Sequence, residues 1–140
     1  MDLEECRLQL SKINREIGSL LKEIDFDESN IECDYSNLDQ TFIRDQYCFI
    51  VSKLMDAYYR MEYLAKPVRN QGFIRHNADG RYELPSGEYF TSGDVCEILG
   101  EKFGEQAWFY TAIEHNGEDY YATSLGRNVS IAGKMVRIRR

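Results

Sequence analysis

What this chain lacks narrows its reading first. No run of residues approaches the roughly 18 apolar positions of a membrane span. The opening Met1-Asp2-Leu3-Glu4-Glu5 is acidic where an export signal needs positive charge and then an apolar stretch. The expected location is therefore the cytoplasm, with no membrane contact. Cys6, Cys33, Cys48 and Cys96 never fall at a CxxC spacing, and three of them sit within apolar patterns, so neither a disulfide framework nor a zinc site is expected. P-loop, GxGxxG, HExxH and GxSxG patterns are missing, and no spacing ties His76 or His115 to a nucleophile. These gaps give the expectation of a protein without catalytic site, cofactor or metal. Basic residues are outnumbered, 17 against 24 acidic, for a net charge of −7, which argues against a surface that coats nucleic-acid phosphates.

What is present is a globular composition. With 43% hydrophobic and 13% aromatic residues, the 140-residue chain can bury one ordinary core or two very small ones. From Leu3 to Ile24 the residues Leu3, Cys6, Leu10, Ile13, Ile17, Leu20 and Ile24 recur at spacings of three and four, a heptad seam on one helix. From Leu38 to Lys66 a second seam runs through Ile43, Tyr47, Ile50, Leu54, Ala57, Met61 and Leu64, and Phe42, Val51, Met55 and Tyr58 widen it. Ser36-x-x-Asp39 resembles a capping box at its start, and Pro67 closes it. Two seams joined by one loop imply an antiparallel hairpin over residues 1–67.

Past Pro67 the period falls to two and turn residues arrive every few positions. Strands are expected at Phe73 to His76, Arg81 to Leu84, Glu88 to Thr91, Val95 to Leu99, Gln106 to Glu114, Asp119 to Thr123 and Met135 to Arg139. Asn116-Gly117 is the strongest hairpin signal, suited to a type I′ turn. The expected fold is α+β, the helical hairpin followed by a small, partly open SH3-like antiparallel β-barrel over residues 68–140.

Several segments of this second half carry a resemblance: Asn77-Ala-Asp-Gly-Arg-Tyr-Glu-Leu84, Gly87-Glu-Tyr-Phe-Thr-Ser-Gly-Asp94, and Gly133-Lys-Met-Val-Arg-Ile-Arg139, with Trp108 and Tyr120-Tyr121. Together they resemble an uncharacterised domain family found on conjugative elements and phages of Gram-positive bacteria. The resemblance implies a mobile-element accessory protein. By analogy of setting, it implies an inhibitor of a host defence nuclease, of the anti-CRISPR or anti-restriction kind.

Three places qualify as sites. The connection 25–39 holds six acidic residues and no basic one. Its Asp25, Asp27, Glu28, Glu32 and Asp34 offer the charge of a phosphate row to a basic channel, such as that of a CRISPR effector, although a solvated loop is the competing reading. It lacks the glycine and terminal glutamate of an EF-hand. On the second helix, Tyr59 and Tyr63 are four apart, share a face off the seam, and are candidate contacts for a protein partner. On the last strand, Lys134, Arg137, Arg139 and Arg140, with Trp108, form the alternative, a basic stacking surface for single-stranded nucleic acid. An outward strand face that blunts a sheet edge accounts for the same pattern. The seams also admit a homodimer in which helices pair between chains.

Overall fold

The computed structural model describes all 140 residues and divides into two compact units, Met1–Ala65 and Lys66–Arg140. The first is a helical hairpin and the second an antiparallel sheet with two short accessory strands, so the chain is α+β. Neither helix is long and apolar enough to cross a membrane.

Helix α1 (Leu3–Glu23) starts on a reciprocal cap. The Asp2 carboxylate accepts from the Glu5 N–H at 2.8 Å, and the Glu5 carboxylate accepts from the Asp2 N–H at 2.9 Å. It ends in a Schellman motif, in which the Phe26 N–H reaches Leu21 O at 2.8 Å and the Asp25 N–H reaches Lys22 O at 3.1 Å. That geometry needs left-handed backbone, and this chain supplies it without glycine: Asp25 and Phe26 have φ of 53° and 56°. The motif turns Phe26 back onto Ile17 and Leu21.

A 3-10 turn (Glu28–Asn30) follows, and helix α2 (Leu38–Leu64) then begins at Asn37, whose side-chain oxygen accepts from the N–H groups of Asp39 and Gln40. The expected Ser36 box does not form, because the Ser36 hydroxyl is held by Asp34 at 2.6 Å. Arg44 donates to the carbonyls of Ile31 (2.6 Å) and Ser29 (3.1 Å), tying the connection to α2.

The helices meet along a line that follows the heptads only in part, keeping Ile17 and Ile24 of the first seam and Leu54 and Met61 of the second. α1 buries Asn14, Ile17, Gly18 and Leu21, while α2 presents Val51, Met55 and Tyr58. A Cβ on Gly18 would stand 3.0 Å from the Tyr58 ring, so the glycine sets the approach. Most of the expected α2 seam is left uncovered, with Ile43, Tyr47, Ile50 and Leu64 between 44% and 55% exposed. A helix with two apolar stripes can lay only one face against a single neighbour, and that face combines Leu54 and Met61 of the seam with Val51, Met55 and Tyr58 of the widening stripe.

The second unit contains β1 (Val68–Phe73), β2 (Arg75–His76), β3 (Tyr82–Glu83), β4 (Val95–Lys102), β5 (Glu105–His115), β6 (Tyr120–Ala122) and β7 (Met135–Arg139). Five strands form one antiparallel sheet in the order β1-β7-β4-β5-β6, and β2 pairs with β3 apart from it. The edges β1 and β6 do not pair, so the sheet is not closed as a barrel. Its core draws Ile98, Ile113, Val136 and Ile138 from the sheet, Tyr82 from β3, and Ile74, Leu84, Phe90 and Ile131 from the connections.

Three strand expectations need correction. β1 runs through Val68-Arg-Asn-Gln-Gly, which has no apolar alternation to reveal it. Glu88 to Thr91 reduces to one bridge between Glu83 and Tyr89. The two-residue turn with both φ values positive is Phe103-Gly104 (52° and 79°), between the paired Lys102 and Glu105. Asn116 instead uses its side chain to accept from the N–H groups of Glu118 and Asp119, which opens a four-residue connection.

Candidate protein-binding site

All of the net charge lies on the helical unit. Residues 1–65 hold fourteen acidic and seven basic side chains, and residues 66–140 hold ten of each. The excess is concentrated in the connection between the helices, which is built rather than slack. Asp27 accepts from the Ser29 N–H at 2.9 Å and Asp34 from the Ser36 N–H at 3.0 Å. Bonds from these serines hold both carboxyls below the usual Asp range, so they stay charged. Asp25 is the left-handed residue closing α1, and Glu28 opens the 3-10 turn. Glu32 borders a hollow of about 280 Å³ together with Ile31, Cys33, Asp39, Arg44 and Tyr47.

The same unit carries a larger groove, about 860 Å³, between α1 and the last turns of α2. Leu3, Leu10, Met61 and Leu64 give it an apolar lining, and Arg15 and Lys22 stand along the α1 side. Asn14 is buried there and donates through Nδ2 to Glu62 Oε1 at 2.9 Å, but its Oδ1 meets no donor. A buried amide oxygen without a donor is costly, and a bound group carrying an N–H or O–H would relieve it. Of the two tyrosines singled out on α2, Tyr59 is half exposed with its ring against Phe26 and Tyr58. Tyr63 is buried, so its ring is no open contact surface.

The last strand is charged but largely neutralised. Glu97 on β4, paired in register with Arg137, is buried and takes both arginines: Arg137 Nη2 donates to Oε1 at 2.9 Å and Arg139 Nε to Oε2 at 3.0 Å. Arg137 also lies over the Trp108 ring, 4.1 Å from its centroid, which joins these two candidates by a cation–π contact. Arg140 is ion-paired with Glu88, and the Lys134 carbonyl accepts from the Ile74 N–H.

One cluster had no signal in the sequence. His76 Nε2 donates to Asp119 Oδ1 at 2.9 Å, the Tyr82 hydroxyl donates to Asp119 Oδ2 at 2.8 Å, and the His76 and Tyr82 rings stack 4.1 Å apart. Burial, and then the carboxylate, push the Tyr82 hydroxyl up to about 12, so it acts as a fixed donor. Burial works to raise the Asp119 carboxyl, but bonds from His76, Tyr82 and the Tyr120 N–H outweigh it and hold the group below its ordinary value. Asp119 lies 43 positions from His76, beyond any spacing rule.

These features define a two-unit α+β protein with a charged helical hairpin and a self-satisfied antiparallel sheet. Residues 72–138, within the second unit, match the model of a domain of unknown function, DUF5348. The resemblance of the C-terminal half to an uncharacterised domain family therefore stands, and the match names no mobile element or phage. No curated protein and no solved structure matches the chain.

Proposed function

We propose that the chain is a non-enzymatic protein-binding protein whose helical unit makes the contact. The carrying observation is that the entire net charge of −7 sits on residues 1–65, with its densest stretch on a connection held by side-chain caps and by Arg44. Fixed carboxylates meet a basic surface without first losing the entropy of a loose loop. In its finer form the proposal is an accessory protein of a mobile element or phage that occludes the nucleic-acid-binding surface of a defence nuclease, such as a CRISPR effector. Charge and the family resemblance support this form. The second unit, with one core drawing on strands and connections alike, is read as a partly open SH3-like barrel that serves as scaffold.

Nucleic-acid binding through the last strand is the second reading, favoured by the Arg137–Trp108 stack. It must work with two guanidiniums already shared by Glu97. The test is capture from a bacterial lysate carrying defence systems, with and without nuclease. A single partner that survives nuclease and is lost from Glu28→Gln/Glu32→Gln supports the proposal. Retention that vanishes with nuclease, or that ignores those substitutions, refutes it.

A further inference from the structure

The hairpin leaves a second apolar face. Its contact line is fixed by Asn14 against Glu62 and Gly18 against Tyr58. Turning about 100° per residue from that line places Ile13 and Leu20 of α1 on the same side of the hairpin as Ile43, Ile50 and Leu64 of α2. These five are 43% to 52% exposed. All belong to the two heptad seams, so the face has the pattern of helices that pack knobs into holes against other helices, and intramolecular packing has left it unused.

We infer that this face receives a second copy of the chain, giving a two-fold dimer built on a four-helix bundle. Area is the first argument. With Leu3, Leu10 and Tyr47, also 43% or more exposed, the side chains of the two stripes leave on the order of 800 Å² uncovered, which is what each partner of a standard interface buries. Charge is the second. The contacts Asn14–Glu62 and Gly18–Tyr58 put Glu23 of α1 level with Lys53 of α2, each on the outer flank of its stripe. A two-fold axis parallel to the helices lays α1 of one copy over α2 of the other at the same level, so Glu23 meets Lys53 twice, and each pairing is attractive. The same operator brings both acidic connections to one end of the bundle, which doubles the charge offered there.

Sedimentation velocity and light scattering on the full chain across a concentration series test this. The mass should rise from 16.4 kDa towards twice that value. Ile13→Glu/Ile50→Glu, at positions exposed in the single chain, should hold it at the lower mass with unchanged helical circular dichroism. Glu23→Lys should weaken association several-fold, and adding Lys53→Glu should restore it. A wild-type mass that stays single at every concentration overturns the inference and leaves the face to another protein. A dimer indifferent to the paired glutamates also overturns it. Lysate capture reads the acidic connection and this experiment reads the apolar face, so either can fail alone.

Discussion

Replacing Glu97 by Gln tests whether the second unit is held by one buried carboxylate. The side chain is 7% exposed, and four N–H contacts from Arg137 and Arg139 fall within 3.4 Å of its oxygens. An exposed ion pair is worth at most about 1 kcal/mol. A buried pair that loses one member leaves the other charge uncompensated and costs about 3 to 5 kcal/mol. Here two guanidiniums lose the carboxylate they share at once, and the amide of Gln can accept from them but supplies no charge. We therefore expect Glu97→Gln to lower stability by about 3 kcal/mol or more, a large fraction of what a small domain possesses. The assay is urea unfolding followed by tryptophan fluorescence, since the single Trp108 lies against Arg137 and reports this unit. The midpoint should fall with the slope unchanged. A loss below about 1 kcal/mol would mean that the cluster behaves as a solvated surface pair, and the reasoning would be wrong. The same variant should raise affinity for single-stranded DNA at low salt, because it removes the carboxylate competing with phosphate for the two arginines.

Other substitutions probe separate steps. Asp25→Gly should stabilise the hairpin by about 1 kcal/mol in denaturant melts, by relieving a left-handed non-glycine residue; Asp25→Ala, which removes the charge but keeps the strain, should not. Gly72→Ala should destabilise the second unit by about 2 kcal/mol, as overpacking does, because the new Cβ would lie 2.5 Å from the Pro85 ring. The Asp119 carboxyl is depressed in the folded chain, so its contribution is complete above its ordinary value of 3.8 and disappears as pH falls through the lower folded value. Acid titration of Asp119→Asn should accordingly show a smaller loss of stability below about pH 4 than the parent. Burial pushes the Cys96 thiol up to about 12, whereas Cys6, Cys33 and Cys48 are partly exposed. An aromatic disulfide reagent should therefore titrate three thiols in the folded chain and the fourth only on unfolding.

Periodicity made the helices and most of the sheet legible because each depends on local pattern. The α1 seam ran from Leu3 to Ile24 and the helix spans Leu3–Glu23, and Met135–Arg139 appears as written, with Val136 and Ile138 turned inward. What the pattern could not show was which of two apolar stripes on α2 would be spent. That choice turned on Gly18 admitting the Tyr58 ring, a single missing side chain on the other helix. β1 was invisible for a related reason. An edge strand that pairs on one side through Arg137 and Ile138 needs no apolar alternation of its own. The Phe103-Gly104 turn carries no signal in the sequence because a phenylalanine with positive φ defies the preference on which turn signals are built.

The candidate sites divide on the same principle. Charge density is additive along the chain, so the acidic connection could be found by counting. Charge availability depends on what faces each group, and that is a property of the fold. Arg137 and Arg139 looked like free cations until β4 placed Glu97 between them, and His76 looked isolated until the β5–β6 connection delivered Asp119. In the second unit these long-range pairings answer charge with charge and leave a balanced surface. In the helical unit the carboxylates of Asp27 and Asp34 are held by serines alone, which orient them without neutralising them, and Asn14 Oδ1 stays unmet. A connection that fixes its charges and does not cancel them keeps its electrostatic free energy for a partner, which is the reason we propose binding on the hairpin and a scaffold role for the sheet.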